Sequence, residues 1–357
     1  MIYLDNAAST MVAPEAANAM LTFLTEKYGN PSSIHTLGKQ AHDAIEHARE
    51  IIAKKINAKP HEIIFTSGGT ESNVLALTAP THVITSTAEH SSILNSIPSG
   101  SILCPVDKDG FVNIDFLKKK IKKKSLVSII HGNNEIGTIN EIKNIGLICK
   151  RAGAVFHVDA CQSFLKVPID VKKMNIDILT LNSHKIHGPK GVGALYVRDG
   201  ISINPLFKGS QEHGLRAGTP NVQGIVGFAK AVELWKNSDN KKMEKLRDLF
   251  ITELLKIKNS RLNGSSNRLC NNINISFKNL IGDTIVKHLD AQSICASTGS
   301  ACTSHSIEPS HVLKAIGLSD EWSLGSVRFS LSRYTTKEDI KTANTATKVI
   351  VESLKKI

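Results

Sequence analysis

Short apolar runs recur along the first 200 residues, each separated from the next by a segment with helical spacing. Glu62-Ile63-Ile64-Phe65-Thr66, His82 to Ser86, Leu126 to Ile130, Ala154 to Asp159, Ile176 to Leu181 and Gly193 to Val197 read as strands. Pro14 to Lys27, Leu37 to Ile56 and most of Ile139 to Ala152 read as helices, and further helices open at Thr70 and Ser91. Strands too short and apolar to face water, alternating with helices, predict an α/β fold with a largely parallel sheet. In such folds ligands gather at the C-terminal ends of the strands.

Val222 to Trp235 and Lys241 to Lys258 continue as helices. Beyond Arg261 the pattern changes. Asn272 to Phe277 and Ser326 to Leu331 alternate in polarity, which predicts a smaller α+β unit with an antiparallel sheet.

Several polar clusters directly follow the predicted strands. Asn182-Ser183-His184-Lys185 ends one of them, and Gly188-Pro189 then turns the chain away. A lysine at the end of a buried strand loses solvation, so its pKa falls and its amine becomes a nucleophile. That suggests a Schiff-base lysine; a solvated loop lysine is the alternative. Ser67-Gly68-Gly69-Thr70 links a strand to a helix, a natural anion cradle and equally an ordinary connection. His90 could stack on a flat cofactor or simply start a helix. Asp159 could pair with a protonated pyridine nitrogen or cap the next helix, and Gln162 could donate to a ring oxygen. His157 shares a face with Asp159 in strict alternation. His131 to Gly137 is too polar for its position unless it faces a ligand or water. Arg328 sits in an alternating strand, either as a carboxylate clamp or as a surface arginine. Cys302 lies among small residues, either as an accessible thiol or buried in a tight turn.

The six cysteines contain no CxxC pair, which argues against a zinc site and a dense disulfide framework, so no metal is expected. The other five read as small buried hydrophobes. No apolar stretch is long enough to cross a membrane, and Met1-Ile2-Tyr3-Leu4-Asp5 lacks the features of a leader, so a cytoplasmic location is expected. Much of the net charge of +12 sits in the run Lys118 to Lys124, read as a solvated helix end or as a patch for an acidic or nucleic-acid-linked partner.

Taken together, the chain resembles the pyridoxal-phosphate cysteine desulfurases of the NifS/IscS type, within the class V aminotransferases. The matching stretches include Leu4-Asp5-Asn6, Gly29-Asn30-Pro31-Ser32-Ser33, Thr70-Glu71-Ser72-Asn73, Glu89-His90, Asn133-Asn134-Glu135-Ile136-Gly137, His157-Val158-Asp159, Ser183-His184-Lys185, Arg216-Ala217-Gly218-Thr219, Gly299-Ser300-Ala301-Cys302 and Arg328-Phe329-Ser330. The resemblance implies fold type I of the pyridoxal-phosphate-dependent transferases. It would have a large domain at 16–243 with a mostly parallel seven-stranded sheet, and a small α+β domain made of 1–15 and 244–357.

It also implies roles. Lys185 would hold the cofactor and move a proton, and His90 would stack on the ring and act as a catalytic proton carrier. Asp159 and Gln162 would meet the ring nitrogen and oxygen. Gly69, Thr70, Asn182 and His184 would bind the phosphate, with Thr219 reaching the other active site of a homodimer. Asn134, beside the cofactor, and Arg328 would hold the carboxylate of L-cysteine. Cys302 would take the sulfur as a persulfide, leaving alanine, and pass it to an acceptor protein such as an iron–sulfur scaffold or a tRNA or DNA thiolation enzyme. The alternatives are another class V enzyme, a selenocysteine lyase or aminotransferase, and a non-catalytic relay protein that keeps the fold. Asn182 stands where such proteins usually carry Ser, and Lys208 to Glu212 replaces the usual glycine run. The connection at Ala79 to Thr81 is shorter than usual. The chain also ends soon after its last helix, where housekeeping members carry a tail that helps dock the scaffold.

Overall fold

The computed structural model describes residues 1–79, 82–299 and 309–356. The chain starts with strand β1 (Ile2–Tyr3) and helices α1 (Pro14–Thr25) and α2 (Thr36–Ile56). Pro14 opens α1, where its missing N–H costs nothing. Asn57 closes α2 in the left-handed conformation at φ 61°. Then strands and helices alternate: β2 (Ile63–Thr66), α3 (Gly69–Ala76), β3 (Val83–Ser86), α4 (Ser91–Leu94), β4 (Ile102–Cys104), α5 (Ile114–Lys120), β5 (Leu126–Ile130), α6 (Ile142–Ala152), β6 (Val155–Asp159), β7 (Ile178–Asn182) and β8 (Gly193–Val197).

These seven strands form one sheet in the order β2-β8-β7-β6-β5-β3-β4. Only β8 runs antiparallel to its neighbours. The apolar runs are strands for the reason expected: β2, β3, β5, β7 and β8 are buried along their whole length, as a sheet covered on both faces requires. Strand β4 escaped the sequence reading because it is a three-residue edge strand with only Cys104 buried. The helix read as closing with the lysine run stops at Lys120. Lys124 lies beyond it with φ 66°.

Helices α7 (Val222–Leu234) and α8 (Asn237–Leu254) lead to the remaining elements: β9 (Ser260–Leu262), β10 (Asn272–Phe277), α9 (Gly282–Asp290), β11 (Ile294–Cys295), α10 (His311–Ala315), α11 (Asp320–Ser323), β12 (Ser326–Ser330) and α12 (Lys337–Leu354). Strands β12, β10 and β9 form the antiparallel sheet that the alternation predicts. Alternation implies one solvated face, yet all of β10 and β12 is buried. The polar positions of β10 face a hydrogen-bonded network instead of water. Asn274 Oδ1 accepts from Asn263 Nδ2 at 2.7 Å and from Ser326 Oγ at 2.9 Å, and Ser276 Oγ accepts from Asn263 Nδ2 at 2.7 Å.

The N-terminal segment joins this region to the end of β7. β1 pairs with β11, Ser330 donates to Leu4 O at 2.6 Å, and Thr10 N donates to His184 O at 2.9 Å. The carbonyls of Ala7 and Ala8 are thereby delivered to Lys185.

Candidate active site

A cavity of about 370 Å³ lies at the C-terminal ends of β2, β3, β5, β6 and β7. Gly69 and Thr70 line it from the start of α3, and His90 from the loop after β3. Asn134 comes from the loop after β5, Asp159 and Gln162 from the end of β6, and Asn182, His184 and Lys185 from the end of β7. Arg328 reaches it from β12. The strand-end clusters singled out in the sequence therefore converge on one place, except for two members of the expected set. Thr219 is solvent-exposed and does not line this cavity. Cys302 lies outside the described residues, while Gly299, three positions before it, lines the cavity.

Lys185 is partly buried, and its Nζ donates to Ala8 O at 2.6 Å and to Ala7 O. Burial lowers its pKa to about 8, with the charge of Arg328 as the next cause. Neither acceptor is a carboxylate, so among the described residues no ion pair holds the proton on.

Asp159 ends β6 and is 2% exposed. Its Oδ2 accepts from Asn73 Nδ2 at 2.8 Å and its Oδ1 from Cys161 N at 2.9 Å. The second bond is a local turn contact that occupies one oxygen and leaves the carboxylate at the cavity wall; among the described residues no helix lies between β6 and β7, so Asp159 is not the helix cap of the alternative reading. His157, on the same strand, stays inside the sheet between Ser128 Oγ at 2.8 Å and Thr180 Oγ1 at 3.0 Å. Burial pushes its pKa down to about 4, so it is a neutral structural histidine.

His90 starts a helix, as its plainer reading had it. It caps α4, its Nδ1 accepting from Ser92 N at 3.1 Å, and it lines the cavity. With Nδ1 an acceptor, the neutral ring carries its proton on Nε2. Burial, together with Lys185, lowers its pKa against the pull of Asp159. His184 is lowered further, to about 3, by burial and then by Lys185, Lys190 and Lys166.

Arg328 is 3% exposed and is no surface arginine. Its guanidinium donates to Asp5 Oδ1 at 3.0 Å and to Asn134 O at 3.0 Å, and its buried Nε has no partner among the described residues. The side-chain amide of Asn134 makes no hydrogen bond among the described residues, and its buried Oδ1 is unpartnered. Gln162 donates from Nε2 to Ala7 O at 2.8 Å, which uses one of its two amide protons.

Several site residues were missed from the sequence. Asn73 and Asp5 stand inside recognised motifs, but only folding brings their side chains to Asp159 and Arg328. Cys161, read as a buried hydrophobe, lines the cavity against Gly69. Burial and then Asp159 raise its thiol well above the ordinary range, so it is no thiolate. His311 opens α10 at the cavity, its Nε2 on Glu89 O at 2.9 Å. Nothing in the sequence around His311 marks it. The lysine run lies elsewhere: Lys118 to Lys124 precede β5, at the end of that strand opposite to the cavity.

The wall suits a flat, phosphorylated, cationic ring. Helix α3 starts at the cavity with no side-chain cap on Gly68, leaving N–H groups free for an anion. A Cβ built on Gly69 would stand 2.5 Å from Cys161 Sγ and 3.4 Å from Asn182 Nδ2, so the glycine lets the helix start approach both side chains. Asn182, 3% exposed, has an unpartnered Oδ1. A buried carboxylate, an amine of lowered pKa and a buried arginine complete the set.

A mostly parallel seven-stranded sheet with a strand-end lysine and aspartate in one cavity is the arrangement of a class V aminotransferase. The chain belongs to that family, whose description, Aminotransferase class-V, matches residues 2–342. Among curated relatives, the "Cysteine desulfurase IscS" of Dictyoglomus turgidum is 48% identical across 100% of this chain and 96% of its own. The solved structure titled "NIFS-LIKE PROTEIN" superposes with a TM-score of 0.92 at 35% identity, covering 99% of each chain. A second, "SspA in complex with cysteine", superposes at 0.84 with 36% identity over 94% of this chain and 100% of that one.

Proposed function

We propose that the protein is a pyridoxal-phosphate-dependent cysteine desulfurase that converts L-cysteine to L-alanine and passes the sulfur through Cys302. The observation that carries this reading is the convergence of Lys185, Asp159 and Arg328 on one cavity. Full-length identity to a cysteine desulfurase and structural likeness to a protein solved with cysteine support it.

In this reading Gly69, Thr70, Asn182 and His184 hold the phosphate, Asp159 meets the ring nitrogen, Gln162 the ring oxygen, and His90 packs on the ring. The cofactor supplies an electron sink for the substrate Cα. The chain's own residues do the rest. At a pKa of about 8, roughly one Lys185 amine in ten is neutral at pH 7, enough both to attach the cofactor and to take up a proton at Nζ. Arg328, held by Asp5 and Asn134 O, is oriented in advance to bind the carboxylate of cysteine, with the free amide of Asn134 beside it. The Cys302 thiolate attacks the substrate sulfur. An S–S bond forms, the C–S bond breaks, its electron pair stays on the substrate carbon, and a proton completes alanine.

The same reading divides the chain into a large cofactor-binding unit at 16–243 and a small unit of 1–15 with 244–357. It assigns Thr219 to the neighbouring site of a homodimer. Support for the latter comes from its exposed position on a segment pinned by two ion pairs, Arg49–Glu212 at 2.8 Å and Arg216–Glu71 at 3.0 Å. The sulfur acceptor belongs to iron–sulfur assembly or to thiolation, and the reaction takes place in the cytoplasm. No helix among the described residues is long and apolar enough to cross a membrane. The deciding experiment measures sulfide and alanine from cysteine. Cys302→Ser is expected to keep the visible absorbance of bound cofactor and lose sulfide release; undiminished release would overturn the role of Cys302.

A further inference from the structure

Lys166 is a second lysine beside the site, itself buried, and the reaction outlined above does not use it. It lies in the loop after β6 and is 8% exposed. Its Nζ donates to Gln162 O at 3.0 Å and to Lys185 O at 3.1 Å. The ammonium also lies over the indole of Trp235, 5.7 Å from the ring centroid. Two carbonyl oxygens and an aromatic face all favour a cation over a neutral amine. Among the described residues no carboxylate pairs with it.

Burying an unpaired charge is costly, and a methionine would fill the same space without that cost. The backbone adds strain. Leu165, immediately before it, is in the left-handed region at φ 63°, which a bulky side chain disfavours. A strained turn that buries an unpaired cation against the backbone of the reactive lysine is not explained by packing.

We propose that Lys166 is a positioning residue whose positive charge disfavours a second charge on the Lys185 amine and so favours its nucleophilic form. This rests on the reading of Lys185 as the cofactor lysine. A cationic neighbour is one of the general ways to activate a lysine. Arg328 also faces Lys185 and lowers it more than Lys166 does, but Arg328 is paired with Asp5 at 3.0 Å, whereas among the described residues Lys166 has no carboxylate partner.

Histidines, cysteines and charged groups surround the pair. Lys185 faces Arg328, Cys161, Lys166, Asp5, His184 and His90. Lys166 faces Cys161, Cys270, His184 and His187, with Asp239 beyond His187. Burial lowers His184 to about 3 and His187 to about 4, and raises Cys270 to about 11 and Cys161 well above its ordinary range. Burial is the largest cause for both lysines, and each is lowered to about 8.

The test uses apoprotein and pyridoxal phosphate, following the rate of uptake against pH by absorbance and borohydride trapping on Lys185. Lys166→Met and Lys166→Gln are expected to move the inflection up by about one pH unit, making uptake near pH 7 about tenfold slower. Lys166→Arg, which keeps the charge, is expected to stay close to the wild-type profile. An unmoved inflection in Lys166→Met, or a wild-type profile in Lys166→Gln, overturns the proposal. If the neutral variants do not fold, ¹³C-methyl lysine NMR of the wild-type apoprotein decides: two-step coupled titrations of Lys166 and Lys185 are expected, and independent single steps overturn it. Wild-type protein that takes up no pyridoxal phosphate at Lys185 overturns the cofactor reading itself.

Discussion

Asn73 Nδ2 donates to Asp159 Oδ2 at 2.8 Å and to Ser92 Oγ at 2.9 Å. Through this one amide, Asn73 on α3 ties the carboxylate at the end of β6 to the start of α4. The elements that carry Gly69, Asp159 and His90 are thus locked together by a residue that is itself buried.

Removing that amide should loosen the cofactor site. Asn73→Ala leaves a buried carboxylate oxygen without its donor, and a hydrogen bond to a charged group contributes about 1.5–3 kcal/mol. The expected result is pyridoxal phosphate bound at least about tenfold more weakly. Fluorescence titration of the apoprotein measures it, and unchanged affinity would show that Asp159 needs no such support.

Gly69→Ala tests the close approach of α3. Its new Cβ would stand 2.5 Å from Cys161 Sγ, well inside van der Waals contact. Cofactor affinity should fall, and Gly69→Ala combined with Cys161→Gly should recover most of it, because the second change removes the clashing sulfur. A double variant no better than the single one would place the cause elsewhere.

The pair Arg49–Glu212 is bidentate, with contacts of 2.8 and 2.9 Å, and both side chains are only 6% exposed. Glu212 also accepts from Phe65 N at 2.8 Å. Arg49→Met strands the carboxylate, and breaking a buried pair from one side costs roughly 3–5 kcal/mol. Urea unfolding of wild type and variant should reveal a loss of this size; a loss below about 1 kcal/mol would mean that the pair is effectively solvated.

Burial lowers Lys166 from 10.5 to about 8 in the folded protein. Between those values the unfolded chain binds more protons than the folded one, so this group's contribution to stability rises with pH across that window. Below pH 8 the full penalty of the buried ammonium is present. The stability of wild-type apoprotein relative to Lys166→Met should therefore increase by up to roughly 3 kcal/mol between pH 7 and pH 10.5. Denaturant melts at both pH values check the sign, and a flat difference would mean that Lys166 is not desolvated.

The sheet and the strand-end clusters were legible because both follow from local pattern. A fully buried strand must be a continuous apolar run, as in Leu126 to Ile130, and the polar residues after such a run must sit at the strand's end. Strand β4 was not legible because an exposed edge strand needs no apolar run. The alternation of β10 gave the right element and the wrong surroundings. Period-two patterning separates two faces but cannot say whether the polar face meets water or, as here, Asn263 and Ser326.

By itself the sequence determined the fold class and placed Lys185, Asp159, His90 and Arg328 at positions where their chemistry is informative. Only the tertiary structure decided their partners. Arg328 meets Asp5 across 323 positions of chain, and Lys185 meets the carbonyls of Ala7 and Ala8 across more than 170. Lys166 lies against the Lys185 carbonyl, 19 positions away, just after the left-handed turn at Leu165. Local pattern records what each residue needs, a face or a strand end. Which charge stands beside which depends on how distant segments pack, and burial together with that pairing lowers the pKa of Lys185.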